Sequence, residues 1–534
     1  MGFKGLLAGA LVVLATPAMA ADAGEAAKSA ERIKAHITFL ADDLLQGREA
    51  GSPGFDIAAA YVASQLAQIG VKPGAADGTY FQKVPMAAFR PADEGVISIT
   101  PKGGAAAPLV FGEDYVPSAD PQSARTHVQG ALVFAGYGVS APGHDDYAGL
   151  DVKGKIVVVL TGAPKTFQTE ERAYYANGRT KRRAAEAHGA IGFITLNTPD
   201  YEARRPFAAS ARGYQNWSMS WRDAEGRTFT PAALVPSLAT LSIKGAAKLF
   251  HGAPQTFAQA AAAAEAGASP RFALPMTLEA TLNTELKTVE AKNVVGKIEG
   301  ADPKLKDEAI VLSAHLDHIG ITAPIKGDAI NNGALDNASG VATTLEVARA
   351  FEESKPPRRT VLFLLNTAEE KGLIGAEYFA LNPPTTGPIV ADVNLDMPIL
   401  TYDFIDLVAF GSDRSSVGPA VQRAAAPFGV KLSPDPLPEE GLFTRSDHFR
   451  FVEQGVPSVM LMTGFQNGGE AAFRSFLRDH YHKPSDDLSL PINYAAGAKF
   501  AAINYAIARE LADADDRPTW NKGDFFGTLF AKKQ

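Results

Sequence analysis

Five apolar residues, Val361–Leu365, run directly into Asn366-Thr367-Ala368-Glu369-Glu370. A run that short and that uniformly apolar reads as a strand buried on both faces. Its end carries two adjacent carboxylates, and burying neighbouring acids is costly unless each has a cation or a proton for a partner. The same pattern recurs along the chain. Ile310–Ala314 leads into His315-Leu316-Asp317, and Val390–Leu395 leads into Asp396. Ile405–Phe410 and Pro457–Met462 read as two further strands. Helical patterns separate these runs: Gly340–Phe351, with Val341, Leu345, Ala348 and Phe351 on one face, then Gly372–Leu381, and a closing helix over Ile492–Leu511. Strands alternating with helices predict an α/β fold, a mixed, mostly parallel sheet covered by helices on both faces. Ligands of such sheets collect at the carboxyl ends of the strands, where His315, Glu369, Glu370 and Asp396 fall.

Together with Asp336 and His482, these residues supply two imidazoles and several carboxylates, the ligand set of a site for two divalent metals. The chain has no cysteine, so a metal must be held by nitrogen and oxygen. His315 and Asp317 alternate, so on an extended strand end they point the same way. Alone, an H-x-D pair is more often a hydrogen-bonded core histidine. Asp336 lies in Gly333-Ala334-Leu335-Asp336-Asn337-Ala338-Ser339-Gly340, where an acid both caps a helix and, beside glycines, can bridge two ions. Glu369 and Glu370 diverge at a strand end, so one can ligate while the other faces substrate as a general base. Spacing leaves the choice between His480 and His482 open. Asp486 or Asp487 is placed to orient the chosen imidazole.

At 534 residues the chain calls for two domains. An apolar content of 46% with 21% charged residues describes a globular protein, and a net charge of -8 argues against nucleic acid or an anionic membrane as a partner. Lys4, the apolar Leu6–Thr16 and Ala18-Met19-Ala20 form an export signal with an A-x-A cleavage site, which places the protein in the periplasm or outside the cell. No other run is long and apolar enough to span a membrane. Residues 31–70 read as two helices separated by Gly47, Gly51, Pro53 and Gly54. From 125 to 285 the texture becomes that of a small β-rich α/β unit, with apolar runs at Ala131–Ala135, Ile156–Leu160 and Ala190–Leu196 and a charged helix over Arg172–His188. Ala258–Ala268 reads equally as a short helix or a linker. The tail from Asp513 looks poorly packed apart from Trp520 and Phe525–Phe530. The expected organisation is a signal peptide (1–20), a catalytic domain in two parts (21–124 and 286–534), and the unit 125–285 inserted between them.

At these residues the chain resembles the di-zinc aminopeptidase family that also contains glutamate carboxypeptidase. Five blocks agree in order: Ser313-Ala314-His315-Leu316-Asp317-His318, Gly333–Gly340, Asn366–Tyr378, Asn394-Leu395-Asp396-Met397, and Tyr481-His482-Lys483-Pro484-Ser485-Asp486-Asp487. They span about 290–512, with weaker agreement at Leu45-Gln46-Gly47-Arg48. The resemblance implies that Asp336 bridges two zinc ions, that His315 and Asp396 complete one site, and that Glu370 and His482 complete the other. It makes Glu369 the general base, gives Asp317 the task of orienting His315, and selects His482 over His480. Cobalt or manganese would substitute for zinc. Gly136-Tyr137-Gly138-Val139-Ser140 and Tyr147–Lys155 are similar to the protease-associated domain inserted in many members. The 175–227 region departs from its short form, and Trp217 and Trp221 within it are expected to pack there or reach over the cleft. The implied activity is removal of N-terminal residues from peptides. Two alternatives remain: a carboxypeptidase gripping a substrate carboxylate through Arg414, Arg445 or Arg450, and a non-catalytic receptor-like member. Neither side-chain preference nor oligomeric state is legible.

Overall fold

The computed structural model describes the backbone of residues 17–531 and side chains from 24 onward. The expected export signal lies almost wholly outside the described residues. Among the described residues, no helix is long and apolar enough to cross a membrane.

The catalytic sheet is mixed. Its centre is four parallel strands in the order Thr360–Asn366, Ala309–His315, Ile389–Leu395 and Ser458–Thr463. Antiparallel neighbours extend it on both sides: Arg271–Ile298 beside Thr360–Asn366, and Asp406–Phe410 beside Ser458–Thr463. Alternating residues of the central strands enter two different cores, which is why the strands read as unbroken apolar runs. Ile310, Leu312, Val361 and Phe363 face one core. It is covered by the helices Ser339–Glu352 and Tyr494–Asp513, against which Pro17–Leu40 packs. Val311, Leu362 and Leu364 face the other, against Phe379 of helix Ile374–Leu381 and Phe451 of helix His448–Val452.

On this second face the alternation turns polar toward the carboxyl ends. Ser313, His315, Asn366, Asp392, Asn394 and Asp396 follow the apolar residues, and the segment Ser446-Asp447-His448 caps them. The expected fold class is therefore the observed one, and the polar ends of the strands mark where the site sits.

The inserted unit has its own sheet, and Arg271–Ile298 belongs to both. Arg271–Asn283 pairs with Arg125–Ala135, and Thr284–Val294 pairs with Phe81–Pro91 of the catalytic sheet. The inserted sheet also draws in Val96–Pro101 and Tyr115–Pro117, ahead of the boundary expected at 125, because Val96–Pro101 pairs with Met276–Thr281 on the shared strand. Arg172–His188 is two helices, Thr169–Ala176 and Gly178–Ala187, divided at Asn177, whose side chain accepts from Arg179 N. Ala258–Ala268 resolves as helix Phe257–Glu265, started by a capping box of Thr256 and Gln259. The tail is better packed than its composition suggests: Phe526 is fully buried against Phe443 and Phe449, and Arg517 pairs with Glu308 at 2.7 Å.

Candidate metal centre

The strand ends and the Gly333–Gly340 loop bring the expected residues to one place. Asp336 lies between two groups. Its Oδ1 is 3.2 Å from His315 Nε2, and that nitrogen is 3.1 Å from Asp396 Oδ1. Its Oδ2 is 3.4 Å from His482 Nε2, which is 3.1 Å from Glu370 Oε2. Atoms bound at 2.0–2.2 Å to one tetrahedral zinc are about 3.3–3.6 Å apart. His315, Asp336 and Asp396 thus fit one ion, and Asp336 with Glu370 fits a second together with either His318 or His482, Asp336 being shared. His480 is not part of the group; its Nδ1 faces the Ser485 carbonyl at 3.0 Å.

His318 is a member of the cluster that the sequence reading left out. Its Nδ1 is 2.7 Å from Glu370 Oε1 but 3.9 Å from Asp336 Oδ2. The first distance is that of a hydrogen bond and is too short for two atoms sharing an ion. His318 therefore stands behind Glu370, holding its outer oxygen, while Oε2 faces His482. Ser446 does the same for Asp396, donating to Oδ2 at 2.6 Å. His318 stood in the quoted Ser313–His318 block, yet nothing in its spacing pointed at Glu370.

Two further buried acids stand outside both triads. The Asp317 carboxylate accepts from Glu369 N at 3.1 Å and from Glu370 N at 3.4 Å. His315 Nδ1 faces the Asp317 backbone carbonyl at 3.0 Å, so orientation of His315 falls to that carbonyl rather than to the expected carboxylate. The Asp486 carboxylate accepts from Leu335 N and Asp336 N at 2.9 and 3.0 Å, instead of orienting an imidazole. Each of these carboxyls fixes the backbone of a ligand-bearing turn, and burial pushes each up to about 6.

Beneath them Arg48, also fully buried, donates to the carbonyls of Leu316 at 3.0 Å, Asn332 at 2.6 Å and Gly333 at 3.2 Å. One cation thus ties the His315 turn to the Asp336 loop. Gly333, at φ +62°, allows the close approach: a Cβ there would lie 2.2 Å from the Asp336 carbonyl oxygen and 2.8 Å from the His318 ring. Ala368, Met397 and His482 take φ of 56°, 48° and 55° without being glycine. Such backbone costs about 1–3 kcal/mol per residue and is concentrated where function demands it.

The acids and imidazoles are strongly coupled in the metal-free chain. Burial raises Glu369 well above the carboxylate range, and Glu370, Asp396 and Asp447 push the same way. Burial would raise Glu370 too, but the hydrogen bonds from His318 and His482 outweigh it and lower this group to about 2. Burial would lower His482, but Asp336 and Glu370 raise it to about 10. Burial likewise opposes the proton on His315, and Asp396 and Asp336 raise it well above its ordinary value.

A cavity of about 210 Å³ opens on Asp336, His315, Asp396, Glu369 and His482. Its walls are apolar, with Leu437, Leu442, Met460, Met462, Phe473 and Leu477, and Glu440 and Arg445 also border it. Tyr481 lines it as well and stacks on His482 at 3.8 Å; burial raises its phenol far above neutrality, so it keeps its proton. Of the three arginines named for a carboxylate grip, Arg414 pairs with Glu170 and with Asp524, and Arg450 pairs with Glu453. Arg445 alone of them borders the cavity, 3.5 Å from Glu440. Trp221 is buried against Phe229 and Tyr378, and Trp217 lies between Arg90 and Lys287 of the paired strands Phe81–Pro91 and Arg271–Ile298, so both pack against the larger sheet and neither lines the cavity.

Residues 293–508 match peptidase family M28, and residues 128–237 match the PA domain. The chain is 25% identical over 268 residues to a probable leucine aminopeptidase 2 of Aspergillus fumigatus, across 46% of this chain and 49% of that protein. It is 27% identical over 293 residues to a probable zinc metalloprotease of Pyricularia oryzae, across 47% and 56%. The chain thus spans about half the length of these curated relatives. An aminopeptidase from Aneurinibacillus sp. strain AM-1 has the same fold, with a TM-score of 0.50 at 21% identity over 91% of this chain and 95% of that one. The peptidase family M28 match thus falls on the part of the chain that carries both triads, and the PA-domain match lies ahead of it.

Proposed function

We propose that this protein is an exported di-zinc aminopeptidase that releases N-terminal residues with apolar side chains. The carrying observation is that Glu370 stands against His482, 3.1 Å away, while its neighbour Glu369 lines the cavity that also meets both triads. His315, Asp336 and Asp396 would hold one ion, and Asp336, Glu370 and His482 the other. Zinc bound there supplies positive charge that acidifies a water and polarises the scissile carbonyl. Glu369, which lines the cavity beside both triads, would take the proton of the attacking water and return it to the leaving amine nitrogen. Tyr481 offers its O–H to the oxygen that gains charge. The apolar wall takes the side chain of the released residue.

Arg414 and Arg450 pair elsewhere, which leaves Arg445, 3.5 Å from Glu440, as the one named arginine at the cavity and supports aminopeptidase over carboxypeptidase action. The test is a panel of leucine, methionine, glutamate and lysine amides, each free and N-acetylated, together with peptides carrying a free or amidated C-terminus. Hydrolysis of free leucine and methionine amides, with the N-acetylated forms inert, supports the reading. A requirement for a free C-terminal carboxylate replaces it with the carboxypeptidase. Fractionation of cells producing the full chain tests export: protein confined to the cytoplasm with its first 20 residues retained contradicts it.

A further inference from the structure

The 175–227 region, which the short form of the PA domain does not explain, touches the segment that carries Glu369 from behind. That segment is a tight turn. Gly372 N and Leu373 N both donate to the Glu369 carbonyl, at 2.8 and 2.9 Å, and helix Ile374–Leu381 starts immediately after. The inserted unit reaches the turn by three routes. Arg183 Nη1 lies 3.3 Å from Glu453 Oε1, Arg450 Nη1 lies 2.6 Å from Glu453 Oε2, and Arg450 Nη2 donates to the Gly372 carbonyl at 3.2 Å. Arg179 pairs with Glu377, in the first turn of the helix. Trp221 Nε1 donates to the other Glu377 oxygen at 3.1 Å, and its ring belongs to the same apolar cluster as Ala368 and Ile374.

Glu377, Glu453 and Arg450 are all largely buried, with side chains no more than 10% exposed. Charge pairs in such surroundings are geometrically strict, because a misplaced partner leaves a desolvated charge alone. The catalytic sheet fixes the opposite side of the turn through the Asp317 carboxylate on Glu369 N and Glu370 N. The Glu369 segment is thus held between a carboxylate in front and three inserted-unit side chains behind.

We propose that Arg179, Arg183 and Trp221 are positioning residues for Glu369, so that the inserted unit completes the catalytic geometry rather than only contributing surface. This rests on Glu369 acting as the general base. A displacement of about 1 Å at a reacting group costs on the order of 10²-fold in rate. Arg179→Met and Arg183→Met in the full zinc-loaded chain should each lower kcat on leucine amide by about 10–100-fold, with KM and zinc content unchanged.

Arg182 supplies the control. It lies on the same helix but bonds within the inserted unit, to Val235 O and Ala232 O. Arg182→Met should lower Tm without the kcat loss. Two further variants separate positioning from folding. The exchange Arg183→Glu with Glu453→Arg should restore part of kcat. In a Glu369→Gln background, Arg183→Met should cost nothing further, because the group it positions is gone.

Unchanged kcat in both arginine variants overturns the proposal, as does a full additional loss in the Glu369→Gln background, or a loss that Arg182→Met reproduces. If Glu369→Gln itself keeps wild-type kcat, the general-base reading has failed instead.

Discussion

The two flanks of Asp336 are built alike and finished differently. Each pairs a carboxylate with an imidazole, and in each the carboxylate's outer oxygen is held by a second side chain. On the Asp396 flank that side chain is Ser446, and His315 and Asp396 both line the cavity. On the Glu370 flank it is His318, fully buried, and of the expected ligands His482 alone reaches the cavity. The first flank thus opens to the cavity through both of its own side chains, whereas the second opens to it through His482. A hydroxyl can rotate to follow a moving carboxylate, whereas an imidazole packed beneath Gly333 has no such freedom.

The strongest way to break the comparison is to remove what the flanks share. Asp336→Asn should drop bound zinc from about two ions per chain to near none and abolish activity, as read by elemental analysis. A variant that keeps one ion on either flank would show that the bridge is not shared.

Proton counting comes next. In the metal-free chain Asp396 and Asp336 favour the protonated form of His315, and Asp336 and Glu370 favour that of His482, whereas ligation requires the free imidazole. Zinc binding at pH 7.5 should release about two protons per chain, measured by calorimetry in buffers of different ionisation enthalpy. The same shifts set the stability of the metal-free protein. His482 is raised from 6.5 to about 10, so its contribution is fully present below 6.5 and fades as the pH rises through about 10. Glu370 is depressed from 4.5 to about 2, so its contribution is present above 4.5 and fades as the pH falls through about 2. Metal-free protein should therefore melt at a lower temperature at pH 10 than at pH 6.

The smallest effect separates the flanks themselves. His318→Phe should weaken the Glu370-side ion by about 10–100-fold and leave the other in place, so chelator titration becomes clearly two-step. Equal weakening of both ions would mean the flanks are not independent.

Much of this was legible beforehand, and for a physical reason. Strands buried on both faces must be apolar throughout, so Val361–Leu365 and Ile310–Ala314 announced themselves, and the acids after them could be read against that background. What escaped depends on partners distant in sequence. His318 meets Glu370 only because the chain turns after His315. The Asp317 carboxylate goes to two backbone N–H groups on a neighbouring strand end, which no local spacing encodes. Phe526 reads as an aromatic in a polar tail until Phe443 and Tyr174 are brought against it. The helix Phe257–Glu265 was undecided on alanine content, and the Thr256–Gln259 capping box settles it.

The central claim is that Glu369 and Glu370, adjacent in sequence, do different work. Glu369→Gln and Glu370→Gln, purified alike and assayed for zinc content and steady-state rate, test it directly. Glu369→Gln should retain both ions and lose about 10²–10⁴-fold in kcat with KM little changed, while Glu370→Gln should lose zinc together with activity. If Glu369→Gln sheds its zinc and Glu370→Gln keeps both ions, the assignment is reversed and the account built on it is wrong.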